Sequence, residues 1–269
     1  FPPDFGKDLY TPKGTTLQLI TDGADPNTAK TVENYLNAIL LSYQQTLNPT
    51  VQPSYQIVVE NRMLYNEAQN GSMNFVPGVI ALVFMIVSTA LTSVAVVREK
   101  ELGTMEILLV SPFNPLKILI AKATPYLILS LINFTVILLL SVYMLEVPVR
   151  GSLLLLYAES TLFIIICLSL GLLISTSTSS QQTAMLIAMM GMMLPTAFFT
   201  GFMFPIENMP LVFQGIAKIF PSSYYYTIVK KVMLKGLGFS YIWKETLILI
   251  AMAIVFLSLA MKKFKIRLQ

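Results

Sequence analysis

The residues of this chain best able to do chemistry are Glu159 and the run Arg98-Glu99-Lys100-Glu101-Leu102-Gly103-Thr104-Met105-Glu106, and the chemistry open to them is ionic. Glu159 is the only ionisable residue well inside a long apolar run. A carboxyl at the centre of a bilayer costs about 2 to 3 kcal/mol or more, so such a residue marks a pathway or a partnered site. At the helical rise it lies about two turns from one end of its run. Two environments stay open for it: the protein interior, or the outer surface, where Arg150 or a nearby lysine could pair with it. The charged run differs, because it stands between two apolar stretches, Pro77 to Val97 and Ala123 to Leu145. It is either a loop anchored by Lys and Arg at a membrane surface or a handle for a partner, and periodicity does not separate the two.

Covalent and metal chemistry have little to work with. The chain has no histidine and one cysteine, Cys167, inside an apolar run, so neither a disulfide framework nor a zinc or His-based metal site can be built. No glycine is followed by the Lys-Ser/Thr of a phosphate-binding loop, so nucleotide hydrolysis and a cofactor bound by this chain are not expected.

The elements that must position these residues follow from composition. Hydrophobic residues make up 55% and charged residues 12% of the 269, with a mean hydropathy of +0.70, which is the composition of an integral membrane protein. Five runs are long enough to cross a bilayer as helices: Pro77 to Val97, Ala123 to Leu145, Ser152 to Ile174, Thr183 to Pro205 and Trp243 to Met261. The net charge of +4 comes from Lys and Arg flanking these runs and not from a basic stripe interleaved with aromatics, so no nucleic acid is expected as a partner. Arg98, Lys100, Lys117 and Lys122 lie in one flank and Lys262, Lys263, Lys265 and Arg267 in the tail. The positive-inside rule places both in the cytoplasm, with residues 1–76 external; Lys218, Lys230, Lys231 and Lys235 argue the other way.

Residues 1–76 are polar and contain no span. Thr15 to Thr21 and Tyr55 to Glu60 read as strands, and between them Asp25 and Pro26 open an amphipathic helix running to Leu47. The expected fold is therefore an all-α transmembrane domain, residues 77–269, with five spans present, joined to a small external α/β domain, residues 1–76. A sixth span upstream of Phe1 would carry that domain across the membrane. In the charged connector, Leu102, Met105, Leu108 and Leu109 share a face, predicting an amphipathic helix over 98–112 that Ser111-Pro112 stops. Pro195, Gly201, Pro205 and Pro210 interrupt the fourth run and predict a re-entrant hairpin over 200–226. Tyr224, Tyr225, Tyr226, Tyr241 and Trp243 read as an aromatic belt beside it.

The stretch from Arg98 to Glu106 followed by Leu108-Leu109-Val110-Ser111-Pro112 resembles the signature of type-2 ABC exporter permeases. Leu64-Tyr65-Asn66 through Pro77-Gly78, and Gly201-Phe202-Met203-Phe204-Pro205-Ile206-Glu207-Asn208-Met209-Pro210, are similar to that family's approach to its second span and to its external hairpin. The resemblance implies a coupling segment docking into a cytoplasmic ATPase through Arg98, Glu99, Lys100, Glu101, Gly103, Thr104, Glu106, Ser111 and Pro112. It implies a pathway or gate at Glu159, Gly201, Pro205, Glu207 and Pro210. The implied partners are a dimer of ABC ATPases binding ATP and magnesium, a second permease copy or homologue, the lipid of a plasma (inner) membrane and a periplasmic adaptor. The residues themselves leave two other readings open: a membrane scaffold that recruits a cytoplasmic protein, and an ion-coupled transporter using Glu159.

Overall fold

The computed structural model describes residues 26–47, 71–103 and 115–266, and among them every regular element is helical. They belong to two compact units, Phe1–Gly71 and Ser72–Gln269. In the first, the described element is helix α1, Pro26–Leu47. It opens on the expected proline, whose missing N–H would have had no partner in a first turn. The strands expected at Thr15 to Thr21 and Tyr55 to Glu60 lie outside the described residues, and the α/β character of this region with them.

The second unit is built on five helices long and apolar enough to cross a membrane. They are α2 (Ser72–Glu101), α3 (Pro115–Tyr143), α4 (Leu153–Ser177), α5 (Gln181–Phe199) and α8 (Trp243–Ile266). Between α5 and α8 come a short helix α6 (Leu211–Ala217) and α7 (Pro221–Val229), which runs on into a π turn, Lys230–Leu234. The first span begins at Ser72 and not at Pro77. Pro77 sits early in the helix, where few backbone bonds precede it. A π turn, Phe84–Ser88, interrupts α2 midway and shifts its side chains in register.

The core is aromatic where α2, α3, α4 and α7 meet. Phe84 lies 5.5 Å from Phe134, 6.5 Å from Phe163 and 6.1 Å from Tyr225, centroid to centroid, and Phe163 stacks on Tyr225 at 4.2 Å. Offset and tilted pairs of this kind add to the area they bury. Elsewhere the helices approach through small and hydroxyl residues. The Thr89 hydroxyl donates to the Cys167 carbonyl at 3.1 Å, and the Ser88 and Ser130 hydroxyls lie 2.8 Å apart. Lipid offers no hydrophobic drive for one span to pack on another, so close approach and hydrogen bonds across the seams do that work.

Candidate functional site

Arg98, Glu99, Lys100 and Glu101 form the last turn of α2. The helix ends directly after them: Leu102 N–H donates to Arg98 O at 3.0 Å, Gly103 N–H to Lys100 O at 3.2 Å, and Gly103 takes φ +71. A left-handed glycine is a common helix stop because it carries no Cβ to clash. A continuous helix over 98–112 is thus corrected: the charged residues close a span, and the stop comes at Gly103. Thr104, Glu106, Ser111 and Pro112 lie outside the described residues.

Successive residues on a helix point about 100° apart. Here three of them reach three different spans. The Glu99 carboxylate pairs with Lys122 of α3. The Lys100 ammonium donates to the Ser175 carbonyl in the last turn of α4. The Glu101 carboxylate accepts from the backbone N–H of Gln181, at 2.8 Å, and from the Gln181 side chain, at the first turn of α5. Ser180, in the N-cap position of α5, makes no side-chain cap of its own. The signs suit the helix ends, a cation on terminal carbonyls and an anion on initial N–H groups. Arg98, Glu101 and Leu102 are exposed.

Glu159 lies in α4 and is buried at 4% exposure against α8. The Thr246 hydroxyl donates to its Oε1 at 2.8 Å, while Oε2 has no hydrogen-bond partner among the described residues. Neither Arg150 nor a hairpin lysine pairs with it. Arg150 is exposed, its backbone N–H bonded to Met233 O at 2.9 Å, and Lys231 pairs with Glu245 at 2.8 Å. The polar partner of Glu159 came from a fifth span whose sequence carries few polar residues, so only tertiary structure reveals it.

In the hairpin, Gly201 turns the chain at φ +94 after α5, and Pro205 and Pro210 precede a 3-10 turn, Ile206–Asn208, and α6. Glu207 and Pro210 are exposed. The Gln214 side chain ties the turn together, donating to Met209 O at 2.9 Å and Glu207 O at 3.3 Å. The hairpin is fastened to α2: Phe202 packs where any side chain at Gly78 would overlap its ring, and Asn74 donates to Phe202 O at 3.4 Å while accepting from the Tyr226 hydroxyl. The aromatic belt is corrected in part. Tyr241 and Trp243 are exposed as expected, but Tyr225 and Tyr226 are buried, because the Ser160 hydroxyl, 2.7 Å from Tyr225, and Asn74 satisfy their phenols inside the bundle. Burial pushes the Tyr225 phenol far above the usual range, so it stays neutral. Asn74, Ser160 and Tyr226 are functional candidates that sequence patterning passed over.

Five apolar helices, polar groups confined to seams and ends, and a broken segment folded against the bundle define a polytopic helical membrane protein of the transporter kind. The model of the ABC-2 family transporter protein matches residues 1–262, and the chain belongs to that family. It is 34% identical to the probable multidrug ABC transporter permease YbhS of Escherichia coli, over 99% of this chain and 72% of that protein. It is 36% identical to the probable multidrug ABC transporter permease YbhR of the same organism, over 91% and 66%. A more distant relative is ABC transporter G family member 20 of Dictyostelium discoideum, 26% identical over 93% of this chain and 34% of that protein. No solved structure matches significantly.

Proposed function

We propose that this chain is the membrane-spanning permease subunit of an ATP-driven exporter that moves a hydrophobic or amphipathic compound. The observation that carries the reading is membership of the ABC-2 family together with relatives named as permeases, two of them as multidrug permeases. The chain is a transport subunit and not an enzyme. ATP and magnesium belong to a separate pair of cytoplasmic ABC ATPases, which dock at segment 98–112. A second permease copy or homologue completes the pathway, and a further relative, 27% identical and named an inner membrane transport permease in Escherichia coli, supports placement in an inner membrane. In this reading the Arg98 end and the C-terminus face the cytoplasm, and residues 1–76, an external α/β domain, and the hairpin face outward, where an adaptor could dock.

Affinity capture of the full chain from mild detergent tests this. Stoichiometric recovery of an ABC ATPase whose hydrolysis changes on reconstitution is the expected result; capture without any ATPase refutes it. A second reading, an ion-coupled carrier, is favoured by one observation, the unpartnered Oε2 of the buried Glu159.

A further inference from the structure

Three consecutive side chains at the end of α2 are each bound to a different span, and two of them meet helix termini: Glu101 at the start of α5, and Lys100 at the end of α4, beside the Thr178 hydroxyl that donates to Ile174 O. Glu101 supplies the acceptor that Ser180 does not, and Lys100 supplies a donor to a terminal carbonyl of α4. We infer that Glu99, Lys100 and Glu101 are positioning residues that clamp the ends of α3, α4 and α5 to α2, so that a push on the end of α2 moves four spans as one block. The inference rests on the exporter reading, and it reassigns charges that the resemblance gives to partner docking. Their charged groups are engaged inside the chain, with Glu99 and Lys100 half-buried, while Arg98, Glu101 and Leu102 are the exposed members of that turn.

The geometry argues for a clamp over a set of incidental surface pairs. Surface ion pairs taken singly contribute little. Here, however, every contact joins different helices, Lys100 and Glu101 each complement the helix end they meet, and the three contacts share one rigid helical turn. The order of ordering is already met by the helix, so the second and third contacts form without immobilising a new segment. Farther along α2, the Thr89 to Cys167 and Ser88 to Ser130 bonds hold the same helices at single points.

The test uses the full chain with its copurifying ATPase in nanodiscs, with spin labels at two exposed pairs: Leu102 with Gln182 beside the clamp, and Leu211 with Tyr241 at the opposite end. On trapping with ATP, magnesium and vanadate, the first pair is expected to keep its distance while the second shifts. Glu99→Lys and Lys122→Glu should each reduce the fraction of molecules showing that shift by about 2- to 30-fold, counted among the ATPase-bound complexes recovered. The double exchange Glu99→Lys/Lys122→Glu should restore it, a rescue that loss of folding would not show. Separation of the Leu102 and Gln182 labels on trapping, or single variants that respond as the native chain does, overturns the clamp and leaves the exporter reading standing. Absence of a copurifying ATPase, or no shift of the second pair in the native chain, overturns both.

Discussion

Replacing Gly171 of α4 with alanine should prise α2 from α4. A Cβ at Gly171 would lie 2.6 Å from the Thr89 carbonyl oxygen and 2.9 Å from Thr92 Cβ, both on α2. A comfortable separation is ~3.5 Å, so the helices must part by about 0.9 Å at this point. Overpacking of this kind costs about 1 to 3 kcal/mol. The neighbouring bond from Thr89 to the Cys167 carbonyl, now 3.1 Å, would stretch beyond bonding distance and forfeit about 0.6 kcal/mol more. The intrinsic helix preference of alanine over glycine returns up to about 1 kcal/mol, leaving a net loss of about 1 to 3. Gly191 of α5 is the matched control, since a Cβ there would meet only Ile187 Cγ2, at 3.9 Å, and Gly191→Ala should be neutral or mildly stabilising. Two assays read the difference: unfolding by SDS in mixed micelles, and maleimide labelling of Cys167, the single cysteine, which is fully buried in the same seam. Labelling through transient opening should speed up about 5- to 150-fold in Gly171→Ala and stay at the native rate in Gly191→Ala. Equal labelling and equal unfolding midpoints in the two variants would refute the close α2 to α4 approach.

The hairpin and the buried carboxyl allow further checks. Gly201→Ala places a side chain at φ +94, which costs about 1 to 3 kcal/mol, and should raise chymotryptic cleavage around Phe202 and Phe204 while leaving Cys167 labelling unchanged; native cleavage rates would contradict it. Tyr226→Phe removes the donor to Asn74 and should loosen the same hairpin by about 0.6 kcal/mol, up to ~1.7, seen as a smaller rise in cleavage. Glu159→Gln keeps an acceptor for the Thr246 hydroxyl and removes the acid from the span, so the SDS midpoint should rise; a fall would mean that an ionised Glu159 holds α4 to α8, and loss of transport with intact ATPase turnover would favour the ion-coupled reading.

The spans were legible because length and hydropathy alone demand them, and α1 because Pro26 and its apolar spacing mark a helix start. What patterning missed has one physical root: the partner of a polar group in a bundle sits on another helix. Glu99, Lys100 and Glu101 have the look of a solvated charged turn until Lys122, Ser175 and Gln181 are brought to them. Tyr224, Tyr225 and Tyr226 form a run that suits an interface, yet a nine-residue helix docked in the core turns two of them inward. Gly103 was legible in principle as a helix stop, but the amphipathic spacing beyond it drew the helix on to Pro112.

The distribution of polar contacts bears on how such a bundle could move. Along the seams the helices are joined by isolated hydrogen bonds, among them Ser88 with Ser130, Thr89 with Cys167 O, Thr135 with Tyr157, Ser160 with Tyr225, and Glu159 with Thr246. Within a membrane such a bond averages only about 0.6 kcal/mol, because the separated helices find other partners. Apolar side chains gain little by preferring a neighbouring helix over lipid, so these seams resist sliding weakly. At the end of α2 the situation reverses, with three contacts converging on one helical turn. A bundle fastened at one end and lightly held along its length pivots there and opens at the other, where the Gly201 turn, the Phe202 contact over Gly78 and the Asn74 to Tyr226 bond hold the hairpin.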